Sequence, residues 1–350
     1  MLTATQPKGD RDIADDGPDI RRGFATAVSP LVDDLLAADT RAVSAGLAAK
    51  GDTEPTGEPI LRSRYVDPGF AALEMRHIWM RCWQFACREE DIAEVGDRVA
   101  YDVGELSFLI VRTAADDFAA FYNTCLHRGT RLCQGKASAA SIRCPFHGWN
   151  WTLDGALAHV PSHWDFPQVT AATHGLRRVS IGRWGGFIFI NPDPSAPPLA
   201  DALGVLPAHF APASPERRFT ALHVRKKIRA NWKTVIEAFL EAYHVIETHR
   251  QALSFTGDAS TQYEIWDDGC SHVSRLITPS AVPSPHFGDT ASARGAAADA
   301  LAAFATTVPP EMAPDPGPIP AWAGRKSPSG GETPLVRRLR VIFRRRQTRR

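Results

Sequence analysis

Two short stretches hold the residues best suited to chemistry. Cys125-Leu126-His127 is followed, after sixteen residues, by Cys144-Pro145-Phe146-His147. Four such donors could hold zinc, but zinc modules usually pair Cys with Cys and His with His. Here each arm mixes one thiol with one imidazole. That mixture suits a [2Fe–2S] cluster with two different irons, thiolates on one and neutral imidazoles on the other. Such ligation raises the reduction potential above that of an all-Cys cluster. Gly129 and Gly148 follow the two arms, where tight loops must bring backbone amides near the sulfurs. Cys133 lies in the first loop but outside the ligand pattern, and reads as a small packing residue. A zinc staple is the alternative.

The elements that must position these donors are short and β-rich. Between Val95 and Pro192, apolar runs such as Leu106 to Val111, Phe118 to Tyr122 and Phe187 to Ile190 alternate with Gly, Asp and Asn. Leu153-Asp154-Gly155 reads as a turn, and Pro192 to Pro198 as a boundary. Before this β domain, Phe70, Leu73, Met75, Ile78 and Trp79 recur at helical spacing, and Trp83 and Phe85 lead into an extended stretch. After it, His223 to Ile228 predicts a strand and Trp232 to Thr248 a helix. Arg22 to Lys50 has a helix-like pattern and reads as a loosely packed arm.

Composition bounds the class. The chain has 350 residues, 44% hydrophobic and 23% charged, with a net charge of +1, which suits a globular enzyme of one or two domains. No apolar run is long enough to span a membrane, and Met1 to Pro18 is polar and acidic, unlike a secretory signal. The six cysteines are therefore expected in a reducing cytoplasm, where Cys with His suggests metal rather than disulfides. Arg325 to Arg350 carries ten basic residues and one acidic, a net of +9. The remaining 30 basic and 38 acidic residues leave the body at −8, with no electrostatic reason to bind nucleic acid.

The stretch Phe121-Tyr-Asn-Thr-Cys-Leu-His-Arg-Gly129, then Arg143-Cys-Pro-Phe-His-Gly-Trp149 and Leu153-Asp-Gly155, resembles the Rieske domain of ring-hydroxylating, non-haem iron oxygenases, large (alpha) subunit. The resemblance covers about residues 60 to 315. It implies an α+β chain in which an all-β Rieske domain precedes a helix-on-antiparallel-sheet catalytic domain. The expected boundaries are an arm at 1–60, the Rieske domain with its leading helix at 61–195, a partial catalytic domain at 196–315 and a tail at 316–350. Cys125 and Cys144 would hold one iron, and His127 and His147 the other.

The resemblance also implies a mononuclear iron downstream. Asn231-Trp232-Lys233 opens a segment that continues through Glu237 to Glu241, Tyr243 and His244, with His249 five residues on. His244 and His249 would be two iron ligands. With one carboxylate they leave three positions open for dioxygen and substrate. A five-residue step does not fall on one face of an α-helix, so a π-type turn or a helix end must lie between them. Glu241, three residues before His244, would share its helix face. By resemblance it would bridge His147 of one chain to His244 of another in a ring-shaped homotrimer. Glu at this position looks more like monooxygenases acting on quaternary amines, whereas ring dioxygenases usually carry Asp; relatives also often have Asn at the position of Ala238.

The family's third iron ligand is an Asp far downstream. Asp258, Asp267, Asp268, Asp289, Asp299 and Asp315 are available, and none has a matching helical context. Pro309 to Pro334 holds eight prolines, and arginines dominate from Arg337. These features predict a C-terminally incomplete catalytic domain, with a terminal segment that is not native oxygenase sequence. A genuine basic tail for membrane or nucleic-acid contact is the competing reading. No GxGxxG occurs, so electrons from NAD(P)H would arrive through a separate ferredoxin or reductase. The expected activity is hydroxylation of an aromatic or other small apolar substrate with dioxygen, with or without a beta subunit. The alternatives are a Rieske monooxygenase (demethylation or quaternary-amine oxidation), or a truncated chain limited to [2Fe–2S] electron transfer.

Overall fold

The computed structural model describes residues 31–39, 42–52, 58–280 and 282–286. They form an α+β chain with two compact units. Among the described residues, one holds 42–241 with 263–276, and the other holds 31–39, 242–262, 277–280 and 282–286. The strands are β1 (Gln84–Arg88), β2 (Asp97–Val103), β3 (Leu106–Ala114), β4 (Asp117–Tyr122), β5 (Lys136–Ser138), β6 (Ile142–Arg143), β7 (Asn150–Trp151), β8 (Leu157–His159), β9 (Arg178–Trp184), β10 (Phe187–Asn191), β11 (Gln262–Asp267) and β12 (His272–Ile277).

Seven strands form one sheet in the order β1-β10-β9-β4-β3-β2-β5, and β6-β7-β8 form a second, smaller sheet. Strands β3 and β4 explain why their sequences read as unbroken apolar runs. Side chains alternate across a strand, and here both faces are covered. Leu109, Val111, Ala119 and Phe121 pack towards Cys125, Cys144, Trp149 and Trp151. Phe108, Ile110, Phe118 and Ala120 pack the other way, with Cys87, Ile92, Ile188 and Ile190. The buried Arg98 guanidinium donates to Ser141 O (2.9 Å) and Ala139 O (3.1 Å), tying down the loop that leads into β6.

The helices among the described residues are short: α1 (Val32–Ala38), α2 (Ala45–Ala48), α3 (Ser63–Val66), α4 (Pro68–Glu74), α5 (Leu199–Leu203), α6 (Leu206–Phe210), α7 (Trp232–Glu237) and α8 (Val245–Thr248). Asp67 caps α4 by accepting from Gly69 N (2.7 Å), with Pro68 at the first helical position. A π turn, Met75–Trp79, ends the helical run before β1. Asn231 caps α7 through Lys233 N (3.0 Å). Lys233 reaches back to Glu74 (2.5 Å), and Trp232 Nε1 donates to the same carboxylate (3.2 Å).

Three expectations change. The arm is packed over residues 46–52: Arg275 donates to Gly46 O (2.7 Å) and Ala49 O (2.6 Å), and Asp52 N to Ile265 O (3.0 Å). His223–Ile228 is not a strand. Every residue from His223 to Ile228 is exposed, and among the described residues no strand pairs with this stretch, so neither face nor backbone is satisfied by a sheet. The single helix expected over Trp232–Thr248 is broken after Glu237. Phe239 N turns to Ile236 O (2.8 Å) and Leu240 N to Glu237 O (3.1 Å), tightening the ladder to three-residue steps that end it. Glu241 and His244 therefore do not share a helix face. The expected readings at Asp289, Asp299 and Asp315, the Pro-rich segment and the arginine-rich tail lie outside the described residues. Among the described residues no helix is long and apolar enough to cross a membrane.

Candidate metal centres

The two mixed Cys/His loops are copies of one turn. Cys125 donates its N–H to Thr130 O (2.8 Å) and accepts at its carbonyl from Gly129 N (3.0 Å). Cys144 donates to Trp149 O (2.8 Å) and accepts from Gly148 N (3.1 Å), at the same sequence offsets. Both glycines sit at positive φ, 75° and 76°, where an L side chain is strained. The first loop leaves the end of β4. The second spans the β6–β7 hairpin, with Ile142 opposite Trp151 and Arg143 opposite Asn150.

The donors meet in like pairs. The Cys125 and Cys144 thiols are neighbours in one buried cluster. Burial, helped by Cys144, pushes the Cys125 thiol up, while the His127 and Arg128 backbone amides directed at its sulfur pull it down. Nδ1 of His127 lies 3.1 Å from Nδ1 of His147. Two nitrogens each ~2.1 Å from one tetrahedral metal stand about 3.4 Å apart, so this pair is spaced to share an ion. Burial, then the neighbouring His147 and Arg128, hold the His127 pKa below the usual imidazole value, favouring the neutral ring a metal needs. Among the described residues no three His, Cys, Asp or Glu side chains converge on one ion-sized point. Thiols together and imidazoles together match a two-iron cluster; a single tetrahedral zinc would draw all four donors to one centre. Cys133 Sγ faces Gly135 O (3.7 Å) instead, as a packing residue would.

Sequence reasoning missed three supporting side chains. Trp149, buried, stacks on His127 at 5.2 Å with an interplanar angle of 7°, and Phe166 stands edge-on to both rings. Asn123, two residues before Cys125, is buried and bonded to Ser107, Leu132 and Cys133. A polar residue closing an apolar strand just before a ligand was the available signal.

His244 and His249 flank α8, one at each end, and the helix end supplies the irregularity that their five-residue step required. Their rings approach to 5.2 Å, near perpendicular. Val245 is buried beside Ala242 and Leu253, fixing the turn that carries both rings. Among the described residues no carboxylate completes a three-donor group with them. Glu241 is half buried in the coil between α7 and α8.

Residues 82–170 match the model of the Rieske [2Fe-2S] domain, and residues 214–317 match that of the ring hydroxylating alpha subunit (catalytic domain). The chain belongs to the Rieske oxygenase large subunits. Its glycine betaine monooxygenase relative from Chromohalobacter salexigens (oxygenase subunit) is 32% identical over 238 residues, 68% of this chain and 52% of that protein. The carnitine monooxygenase oxygenase subunit of Escherichia coli is 32% identical over 188 residues, 53% of this chain and 50% of its own. A crystal structure of a quaternary ammonium Rieske monooxygenase with an inhibitor aligns at a TM-score of 0.53 and 26% identity, covering 58% of this chain and 57% of that one. The Rieske oxygenase chain thus spans about half the length of the curated relatives it matches. A Rieske domain is built around a [2Fe–2S] cluster, and the paired donors fit that group.

Proposed function

We propose that this chain is the terminal component of a Rieske oxygenase that receives electrons from a separate ferredoxin or reductase. The observation that carries the reading is the like-with-like pairing of Cys125 with Cys144 and of His127 with His147, followed downstream by the His244–His249 pair. The cysteines would hold one iron of the cluster as thiolates, and the two Nδ1 atoms the other. His244 and His249 would hold a mononuclear iron with a carboxylate yet to be assigned. When bound, these centres supply one-electron transfer and dioxygen activation. Glu241 would accept a hydrogen bond from a ligand imidazole, fixing its tautomer, and link the two centres across a subunit boundary.

Two observations favour monooxygenation of a quaternary ammonium substrate over dihydroxylation of an arene. Glu stands at position 241, and the relatives above are named for glycine betaine and carnitine. A second reading, electron transfer without oxygenation, draws on the lack, among the described residues, of a third donor beside His244 and His249. Iron and acid-labile sulfide in anaerobically purified protein separate the two. Terminal oxygenation expects about three iron per two sulfide, falling to about two in H244A while the red-brown spectrum persists. About two iron per two sulfide in the parent chain supports electron transfer alone; colourless protein with zinc overturns both.

A further inference from the structure

The two ligand loops differ in what holds their stems. The second is closed by backbone pairing of β6 with β7. The exit of the first, Arg131 to Gly135, belongs to no strand. Asn123 occupies the place of the missing partner. Its Oδ1 accepts from Cys133 N (2.9 Å) and its Nδ2 donates to Cys133 O (2.8 Å), the reciprocal two-bond exchange of an antiparallel residue pair. Oδ1 also accepts from Leu132 N (3.1 Å), and Nδ2 donates to Ser107 Oγ (2.9 Å). All four hydrogen-bonding positions of the amide are used, and Asn123, Ser107, Leu132 and Cys133 are buried. The backbone of Asn123 is anchored as well, donating to Ser107 O (2.9 Å) on β3.

We propose that Asn123 is the positioning residue of the cluster. Its side-chain amide acts as a one-residue strand that locks the exit of the first loop to β3. It thereby fixes Cys125 and His127 against Cys144 and His147. The Cys125–Thr130 turn is closed on itself, so it moves as a unit with whatever grips its two flanks, and Asn123 grips both. A tilt of that unit changes the Cys125–Cys144 and His127–His147 separations together, and those separations govern the electronic structure and lability of a cluster spanning both loops. The inference rests on the ligand assignment proposed above.

The test compares the full-length parent chain with N123A, N123D and S107A. Parent protein with two-to-two iron and sulfide establishes the ligand reading; its absence overturns that reading rather than this one. In N123A, with far-UV circular dichroism unchanged, the g-values of the reduced cluster should shift, and the cluster should bleach in chelator about 10-fold faster. N123D, which sets a carboxylate oxygen against Cys133 O where the amide donated, should perturb the cluster at least as much as N123A. If N123A does not fold, S107A decides: it removes one anchor of the amide and leaves the β3 backbone paired, so altered g-values with an unchanged unfolding midpoint support the proposal. Parent-like g-values and bleaching in N123A, or in S107A where N123A is unfolded, overturn it.

Discussion

Cys125 and Cys133 sit in one loop and are both buried, yet their sulfurs have different neighbours. Cys125 faces the Cys144 thiol and two backbone amides; Cys133 faces one carbonyl. C125S should therefore abolish the visible spectrum, and C133S should leave iron and sulfide content within about 10% of the parent, since it removes no ligand. A fourth buried thiol, Cys87, separates stability from ligation. Burial, then the Asp91 and Glu89 charges against the opposing Lys136, push Cys87 up to about 12 from the usual 9.0. The native state therefore keeps its proton where the unfolded chain has lost it, and stability falls as pH rises from 9.0 towards about 12. At pH 11 this contribution is on the order of 2 kcal/mol. C87A should lose stability less steeply than the parent across that window, as read by urea unfolding at pH 8 and pH 11.

At the level of elements, α7 is tied to α4 through one carboxylate, Glu74, which pairs with Lys233 and accepts from Trp232 Nε1. Glu74 and Lys233 are both mostly buried, and the Lys233 ammonium also faces the Tyr65, Phe70 and Trp232 rings. Removing one member strands the other, so E74A should cost about 3 kcal/mol, read as roughly 6 °C or more off the melting temperature. A surface pair would give almost nothing, and a change under 1 °C would show that the lysine finds solvent. This pair also marks where the sequence was legible and where it was not. Strands β3, β4 and β10 were readable because both faces are buried and the apolar runs leave no other use for Phe108, Leu109, Ile188 and Ile190. The two Cys/His loops were legible as a pair because their residue types are rare and each carries a Gly four residues after its Cys. The Glu74–Lys233 tie and the Asn123 clamp were not, because a polar residue's burial is set by partners far away in the chain or out of phase with any periodicity. His223–Ile228 and the α7–α8 break failed for the converse reason. Local composition favours strand and helix there, but extended chain becomes sheet only with a partner, and helix persists only while its ladder holds.

For the whole molecule, exposed apolar side chains occur along most of the described chain, and one run of them lies around α7. Phe219, Leu222, Val224, Ile228, Phe239 and Leu240 are all solvent-facing within residues 219–240. The proposed ring places a cluster of one chain beside the mononuclear iron of the next, a head-to-tail arrangement that closes by rotation. Such a ring has a consequence that a self-sufficient chain lacks. H147A disables the cluster and H244A the mononuclear iron, so each alone should show no substrate-dependent dioxygen uptake. Co-produced in equal amounts, the two chains assort at random, and about one boundary in four then joins an intact cluster to an intact iron site. Activity near a quarter of the parent in the mixture, with none in either variant alone, is the expected result. A mixture as silent as its components would mean that electrons stay within one chain. Glu241 would then act only within its own subunit, as a hydrogen-bond partner for a ligand imidazole.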